Sequence, residues 1–271
     1  MAQDGILAGQ VAIVTAGANG LGEGCALVLA RHGAAVVIAD IDTENGEQLA
    51  RTITDAGGRA LFVQTDMLAT DQITAMVDKT AEAFGRIDIL VNNAGGVRKR
   101  LFADSFEKSW RKHIDINLVS MLSATHAAIQ VMIAGGRGGS IINMSSVEGL
   151  RGAPGSSVYA ACKAAMLNFT KTLAAELADH GIRVNALAPD MVWTKGALAF
   201  VPDTPAANAA RERYIPLRRK GRPEEVGEIA AFLCSPAAAY LTGITLPIDG
   251  GTMSVPGFTR DEAGEWRLLQ Y

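Results

Sequence analysis

The feature that most restricts how this chain can fold is an alternation repeated along its length. Short, unbroken apolar runs rich in β-branched residues are each followed by a stretch with helical spacing. Val11–Thr15 (VAIVT), Ala35–Ala39 (AVVIA), Ile87–Val91 (IDILV), Ser140–Met144 and Ile182–Ala188 are of the first kind. A run that is apolar at every position belongs to a strand covered on both faces, the usual state of a parallel strand. Between these runs, Thr43–Ala56 reads as a helix stopped by Gly57. Thr70–Phe84 carries Ile73, Met76, Val77 and Ala81 on one helical face. A helical region of about Phe106 to Ala134 follows, then a helix from Ser156 to about His180, stopped by Gly181. Strands separated by helices join through right-handed crossovers into a parallel sheet. The expectation is an α/β chain: a doubly wound parallel sheet of about seven strands with helices on both faces. No linker, repeat or charge block divides residues 1–271 into two domains. Pro247 lacks a donor, so the last run, Ile244–Ile248, suits an edge strand.

In such a sheet, ligands bind across the carboxyl ends of the strands. The first strand opens there into Thr15-Ala-Gly-Ala-Asn-Gly-Leu-Gly22 and then a helix. Glycines between strand and helix let the backbone approach a pyrophosphate, which sits on the helix N-terminus. Asp40 ends the second strand, placed to accept hydrogen bonds from adenosine ribose hydroxyls and to repel a 2′-phosphate, which favours NAD. Asp66, Asn93, Ser146 and Pro189 fall at the same edge.

Composition narrows the function classes. With 49% apolar and 20% charged residues the chain is a globular type, and a net charge of −3 offers no general basic field for nucleic acid or anionic lipid. No uninterrupted apolar run is long enough to span a bilayer, and the N-terminus MAQDGILAGQ has no signal-peptide pattern. Cys25, Cys162 and Cys234 fit neither a zinc spacing nor a disulfide framework, so a reducing, cytoplasmic setting and no metal are expected.

Chemistry centres on SSVEGLRGAPGSSVYAACK, Ser145 to Lys163. Tyr159 and Lys163 stand four apart on a helix and share a face, roughly 6 Å apart at Cβ. An ammonium beside a phenol lowers the phenol's pKa from about 10 towards working pH. Tyr159 then becomes a general acid/base, and Ser146 can hold the oxygen whose proton it exchanges.

Taken together, TAGANGLG, Asp40, Asp66, NNAG, Asn117 in DINL, Ser146, YAACK, APDMVWT and PIDGG resemble the short-chain dehydrogenase/reductase family over essentially the whole length. The resemblance implies a single Rossmann domain, a homotetramer, and NAD or NADP as cofactor. It implies Asn117, Ser146, Tyr159 and Lys163 as catalytic residues. It also implies Gly17, Asn19, Gly20, Leu21, Asp40, Asp66, Met67, Asn93, Tyr159, Lys163, Val192 and Thr194 as the cofactor-binding set. Lys163 would bind the nicotinamide ribose and lower the pKa of Tyr159, while Asn117 would hold a water. With Asp40, the leading reading is NAD-dependent interconversion of a secondary alcohol and a ketone. A 3-oxoacyl thioester reductase and a non-catalytic dinucleotide sensor stand behind it.

Two residues depart from the family pattern. Ala16 replaces the first glycine, which is tolerable at negative φ. Asp190 replaces the glycine after Pro189, where a left-handed backbone is expected, and brings a carboxylate towards the nicotinamide end. The substrate is left open. Leu198, Phe200, Val201, Pro202 and Tyr214 in a loop of about 194–215 would cover the site. Arg98-Lys99-Arg100 and Arg151 lie near its mouth, with a solvated loop the ordinary explanation for the basic run. The tail, about 255–271, carries Trp266, Leu268, Leu269 and Tyr271, and packing on a neighbouring subunit is its expected use.

Overall fold

The computed structural model describes residues 5–194, 196 and 203–268. Its strands are β1 (Val11–Thr15), β2 (Ala35–Asp40), β3 (Arg59–Gln64), β4 (Ile89–Asn92), β5 (Gly139–Met144), β6 (Ile182–Pro189) and β7 (Thr245–Ile248). These seven form one sheet in the order β3-β2-β1-β4-β5-β6-β7, every pair parallel. The order reverses between β1 and β4, and that reversal opens the crevice at the carboxyl ends. Pro247 lies in the edge strand β7, as its missing donor requires.

The helices are α1 (Gly20–Arg31), α2 (Thr43–Asp55), α3 (Thr70–Phe84), α4 (Glu107–Ile114), α5 (Ser120–Gly135), α6 (Ser157–Glu176), α7 (Pro205–Tyr214) and α8 (Pro223–Cys234). Successive strand residues point to opposite faces, and the sequence uses that period to make two cores. Ala12 and Val14 of β1 pack with α1, α2 and α8 through Val28, Leu29, Leu49 and Val226. Ile13, between them, packs on the other face with Met76, Ala124, Met132 and Leu173 of α3, α5 and α6.

Several boundaries differ from expectation, each for a local reason. The region from Phe106 is helical from Glu107 to Gly135, but its middle, Asp115–Val119, is a π-turn containing Asn117. That continuous helix is long and apolar enough to cross a bilayer by length and composition, although it holds no uninterrupted apolar run of that length. The stretch 194–215 contains a helix after all. Thr204 caps α7 by accepting a hydrogen bond from Ala207 N–H at 3.2 Å, and Pro205 occupies its first turn. Leu198, Phe200, Val201 and Pro202 lie outside the described residues. In the tail, Phe258–Arg260 (β8) and Trp266–Leu268 (β9) pair as an antiparallel hairpin, with Arg260 stacked over Trp266 at 4.2 Å. Leu269 and Tyr271 lie outside the described residues.

Both departures from the family pattern sit differently than expected. Ala16 has φ 49°, in the left-handed region, rather than a negative φ. That conformation costs a non-glycine residue roughly 1–2 kcal/mol. The turn keeps it because Ala16 C=O is held by Asn93 Nδ2 at 2.9 Å. After β6, the positive φ falls on Met191 (20°) and not on Asp190.

Candidate active site

The glycine turn is tight enough to be specific. A Cβ placed on Gly22 would lie 2.2 Å from Ala16 O and 2.7 Å from Asn93 Nδ2, so only glycine fits. Gly17 N–H donates to Ala39 O at 3.3 Å, holding the turn against β2. Asn19 precedes α1 without capping it through its side chain; Asn19 Nδ2 instead donates to Asp42 Oδ2 at 3.0 Å. Leu21 packs at the margin of the first core. Thr194, from beyond β6, closes over Gly20, whose Cβ position would be 3.3 Å from Thr194 Cγ2. Val192 is fixed nearby by a parallel bridge to Gly221.

Asp40 sits at the end of β2 with both oxygens engaged by backbone. Oδ2 accepts from Ala18 N–H at 2.9 Å and Oδ1 from Asp42 N–H at 3.0 Å. A second carboxylate, Asp42, lies beside it as the N-cap of α2, and its pKa is lowered by hydrogen bonds from Asn45 and then Asn19. Sequence reasoning passed over Asp42, although Asp42-Thr-Glu-Asn45 has the form of a helix start. Asp66 lines a cavity of about 410 Å³ with Ile41, Gln64, Gln72 and Lys79. Met67 is buried in the second core. Asn93 ties β4 to the turn, its N–H donating to Thr15 Oγ1 at 3.0 Å and its amide to Thr15 O at 3.1 Å. A tight turn with no room for a Cβ, a helix N-terminus and a carboxylate at the next strand end together fit a dinucleotide.

The four residues assigned to catalysis converge at the ends of β4 and β5. A Cβ on Gly95 would lie 2.6 Å from Asn117 Oδ1 and 3.3 Å from Lys163 Nζ, so these two side chains meet there. Lys163 Nζ is 5.6 Å from the Tyr159 ring centroid. Ser146, at the strand end, acts on the phenol in the direction that favours its anion. Asn117 is fully buried in the π-turn; it donates to Gly96 O at 2.9 Å and His113 O at 3.0 Å and accepts from Gly96 N–H at 3.0 Å. Its amide hydrogens are therefore both engaged by backbone. Beneath the site runs a buried chain that the sequence did not disclose. Asn92 donates to Thr125 and Asn143, and Asn143 to Thr170, each at 2.9 Å, joining β4, α5, β5 and α6.

The expected direction of the Tyr159 shift is reversed. Burial pushes the phenol up to about 12; Ser146 opposes this, and the Glu148 charge adds to it. Lys163 fails to prevail because it is itself buried. Desolvation lowers it from 10.5 to about 8, and its Nζ donates to Met144 O at 2.7 Å rather than to the phenol.

Asp190 is not a free anion. Its Oδ2 accepts from Arg151 Nη2 at 3.1 Å and Thr252 Oγ1 at 2.7 Å, and its Oδ1 from Met191 N–H at 2.9 Å. Arg151 Nη1 also donates to Tyr214 OH at 3.0 Å, so the catalytic loop, the segment after β6 and α7 share one bridge. Lys220 lies 3.4 Å over the Trp193 ring and 3.7 Å from Asp203. The basic run is dispersed: Arg98 N–H donates to His113, Arg100 stacks on Phe106, and Lys99 is exposed.

Comparison with known proteins agrees with this geometry. A family profile described as enoyl-(acyl carrier protein) reductase matches residues 15–253. The chain is 41% identical to cis-4-hydroxycyclohexanecarboxylate dehydrogenase of Sinomonas cyclohexanicum, over 91% of this chain and 97% of that one. It is 39% identical to the 3-oxoacyl-[acyl-carrier-protein] reductase FabG of Chlamydia muridarum, over 91% and 98%. A crystal structure of a short-chain type dehydrogenase/reductase from Mycobacterium marinum superposes with a TM-score of 0.85 at 34% identity, covering 92% of this chain and 97% of that one.

A raised phenol pKa means that the folded protein holds a proton the unfolded chain has lost. Stability through this group is therefore complete below pH 10 and declines as pH rises through about 12. Titrating the protein without cofactor at 295 nm, wild type minus Tyr159→Phe, should give a Tyr159 midpoint above 10. A midpoint at 9 or below would contradict burial as the dominant effect.

Proposed function

The chain belongs to the short-chain dehydrogenase/reductase family of oxidoreductases, and on that footing we propose that it interconverts a secondary alcohol and a ketone with NAD(H). The observation carrying this is that Asn117 and Lys163 meet at Gly95 while the Tyr159 ring lies 5.6 Å from Lys163 Nζ and Ser146 acts on its phenol. Bound NAD would supply hydride acceptance, and hydride donation in the reverse direction. Gly17, Asn19, Gly20 and Leu21 would receive its pyrophosphate, Asp40 its adenosine ribose, and Lys163 its nicotinamide ribose.

The protein's own work is positional and electrostatic. Ser146 Oγ orients the reacting oxygen, and Tyr159 Oη removes or returns its proton. A phenol near 12 ionises poorly at neutral pH. Positive charge beside it is what brings its anion within reach, and Lys163 is the fixed local source. Cyclohexanecarboxylate and acyl-carrier-protein substrates belong to the relatives' names and not to this chain. A 3-oxoacyl thioester reductase is the second reading, favoured by the relatives of that name. Asp40 and Asp42 together disfavour the 2′-phosphate of NADPH.

We propose a homotetramer as well. Val119 (41% exposed) and Leu122 (37%) leave an apolar stripe on the helical run Glu107–Gly135 that a second copy would cover. Light scattering that returned a monomer mass would overturn this. All three cysteines are buried free thiols, which supports a cytoplasmic enzyme.

Tyr159→Phe should keep dinucleotide binding while kcat falls about 10²–10⁴-fold; more than a tenth of wild-type kcat would remove Tyr159 from its role. With any productive alcohol, kcat/KM should be higher with NAD⁺ than with NADP⁺. Equal values would refute the assignment of Asp40.

A further inference from the structure

Asn117 does not hold its loop alone. The segment leaving β4 passes Gly95, where Asn117 Oδ1 and Lys163 Nζ meet. Asn117 then grips Gly96 by both backbone groups, accepting from its N–H at 3.0 Å and donating to its C=O at 2.9 Å. Two residues on, Arg98 N–H donates to Nε2 of His113 at 3.1 Å. His113 stands four positions before Asn117 on the same helical run, so the two side chains share a face. The rise over four helical residues, about 6 Å, matches the reach of two chain residues, at most about 7 Å. The loop therefore lies along the helix with one grip per turn.

The protonation of the His113 ring follows from its partners. A backbone N–H can only donate, so Nε2 carries no proton. Nδ1 lies 3.0 Å from Ser109 O, which can only accept, so Nδ1 bears the hydrogen. The imidazole is neutral, with both nitrogens in use. A proton on Nε2 would set N–H against N–H and break the grip on Arg98. The described residues pair a histidine with a carboxylate only at His32–Glu228, so an imidazolium at His113 would have no such counter-ion. The titratable and charged groups packed here are Cys162 of α6, whose Sγ donates to His113 O at 3.9 Å, Lys163 across Gly95, and Arg98 and Lys99 of the loop. Lys112 and Asp115 adjoin it on its own run.

Resting on the alcohol–ketone reading above, we propose that His113 is a positioning residue for the reaction. Neutral His113 holds the Gly95–Arg98 loop where Asn117 and Lys163 meet, and protonation of its ring releases the Arg98 end. It acts through the backbone beside those two residues, not on the reacting atoms.

The test joins a spectroscopic and a kinetic reading on the full-length protein. With ¹⁵N-labelled histidine, and His113 assigned by its loss in His113→Gln, the ring should show Nδ1–H and an unprotonated Nε2 at neutral pH. The Arg98 amide should be protected from hydrogen exchange there and lose that protection as the His113 signals report protonation. The Gly96 amide, held by Asn117, should keep its own. With NAD⁺ and a panel of secondary alcohols from butan-2-ol to cyclohexanol, His113→Leu should lower kcat/KM roughly 2- to 10-fold at neutral pH, the range of one neutral hydrogen bond. It should also abolish Arg98 protection. In His113→Gln an amide oxygen can take the place of Nε2 and does not titrate, so both properties should return and persist at the acid pH where wild type loses them. Both variants leave the backbone carbonyl that Asn117 uses. An Nε2–H ring, or equal Arg98 protection in wild type and His113→Leu, overturns the proposal. An unchanged kcat/KM in His113→Leu also overturns it and leaves the alcohol–ketone reading standing. If no alcohol of the panel is oxidised while the protein binds NAD⁺, the alcohol–ketone reading falls, and the positioning role with it.

Discussion

The site depends on one buried ammonium. Lys163 is only 3% exposed, and its Nζ donates to the carbonyl of Met144, the last residue of β5, at 2.7 Å. The drop in its pKa from 10.5 to about 8 corresponds to a desolvation cost of about 3 kcal/mol. A hydrogen bond to a charged donor offsets about 1.5–3 kcal/mol of such a cost. The lysine therefore remains charged at neutral pH, but only just, and only with α6 seated against the end of β5. The same seating is reinforced from the strand side, where Ser145 Oγ donates to Lys163 O at 3.0 Å. Ser146 and Tyr159 inherit their relation from it, one from the strand and the other from the helix.

Around that anchor, the loops of the carboxyl edge are joined by charge rather than by apolar packing. Arg151 links three segments distant in sequence through Asp190 and Tyr214, and Thr252 closes the group from beyond β7. The Arg151 and Asp190 side chains are 31% and 12% exposed. In such surroundings, removing one partner leaves the other charge uncompensated, which costs more than the pair contributes. The adenosine end follows the same logic with the opposite balance: Asp40 and Asp42 are held by backbone and amide donors and by no cation within ion-pair distance among the described residues.

The strained turn at Ala16 shows how much local cost the fold accepts in keeping the glycine loop shape. A left-handed alanine is retained because its carbonyl is gripped by Asn93 and because Gly22 leaves it room. The π-turn at Asn117 is a comparable device: an extra residue in one helical turn brings a side chain back to Gly96.

Much of this was determined by the sequence alone. Short β-branched runs such as VAIVT are the mark of strands covered on both faces, so the parallel sheet and its binding edge followed, and the spacing of Tyr159 and Lys163 put both on one helical face. Helix α7 was missed, because its apolar periodicity is weak, although Thr204-Pro205 has the form of a helix start. Only the tertiary structure decided the electrostatics. The phenol's rise rather than fall and the pairing of Asp190 with Arg151 depend on burial and on partners far apart in the chain. Sequence spacing fixes which groups share an element; desolvation and long-range pairing arise only when elements meet.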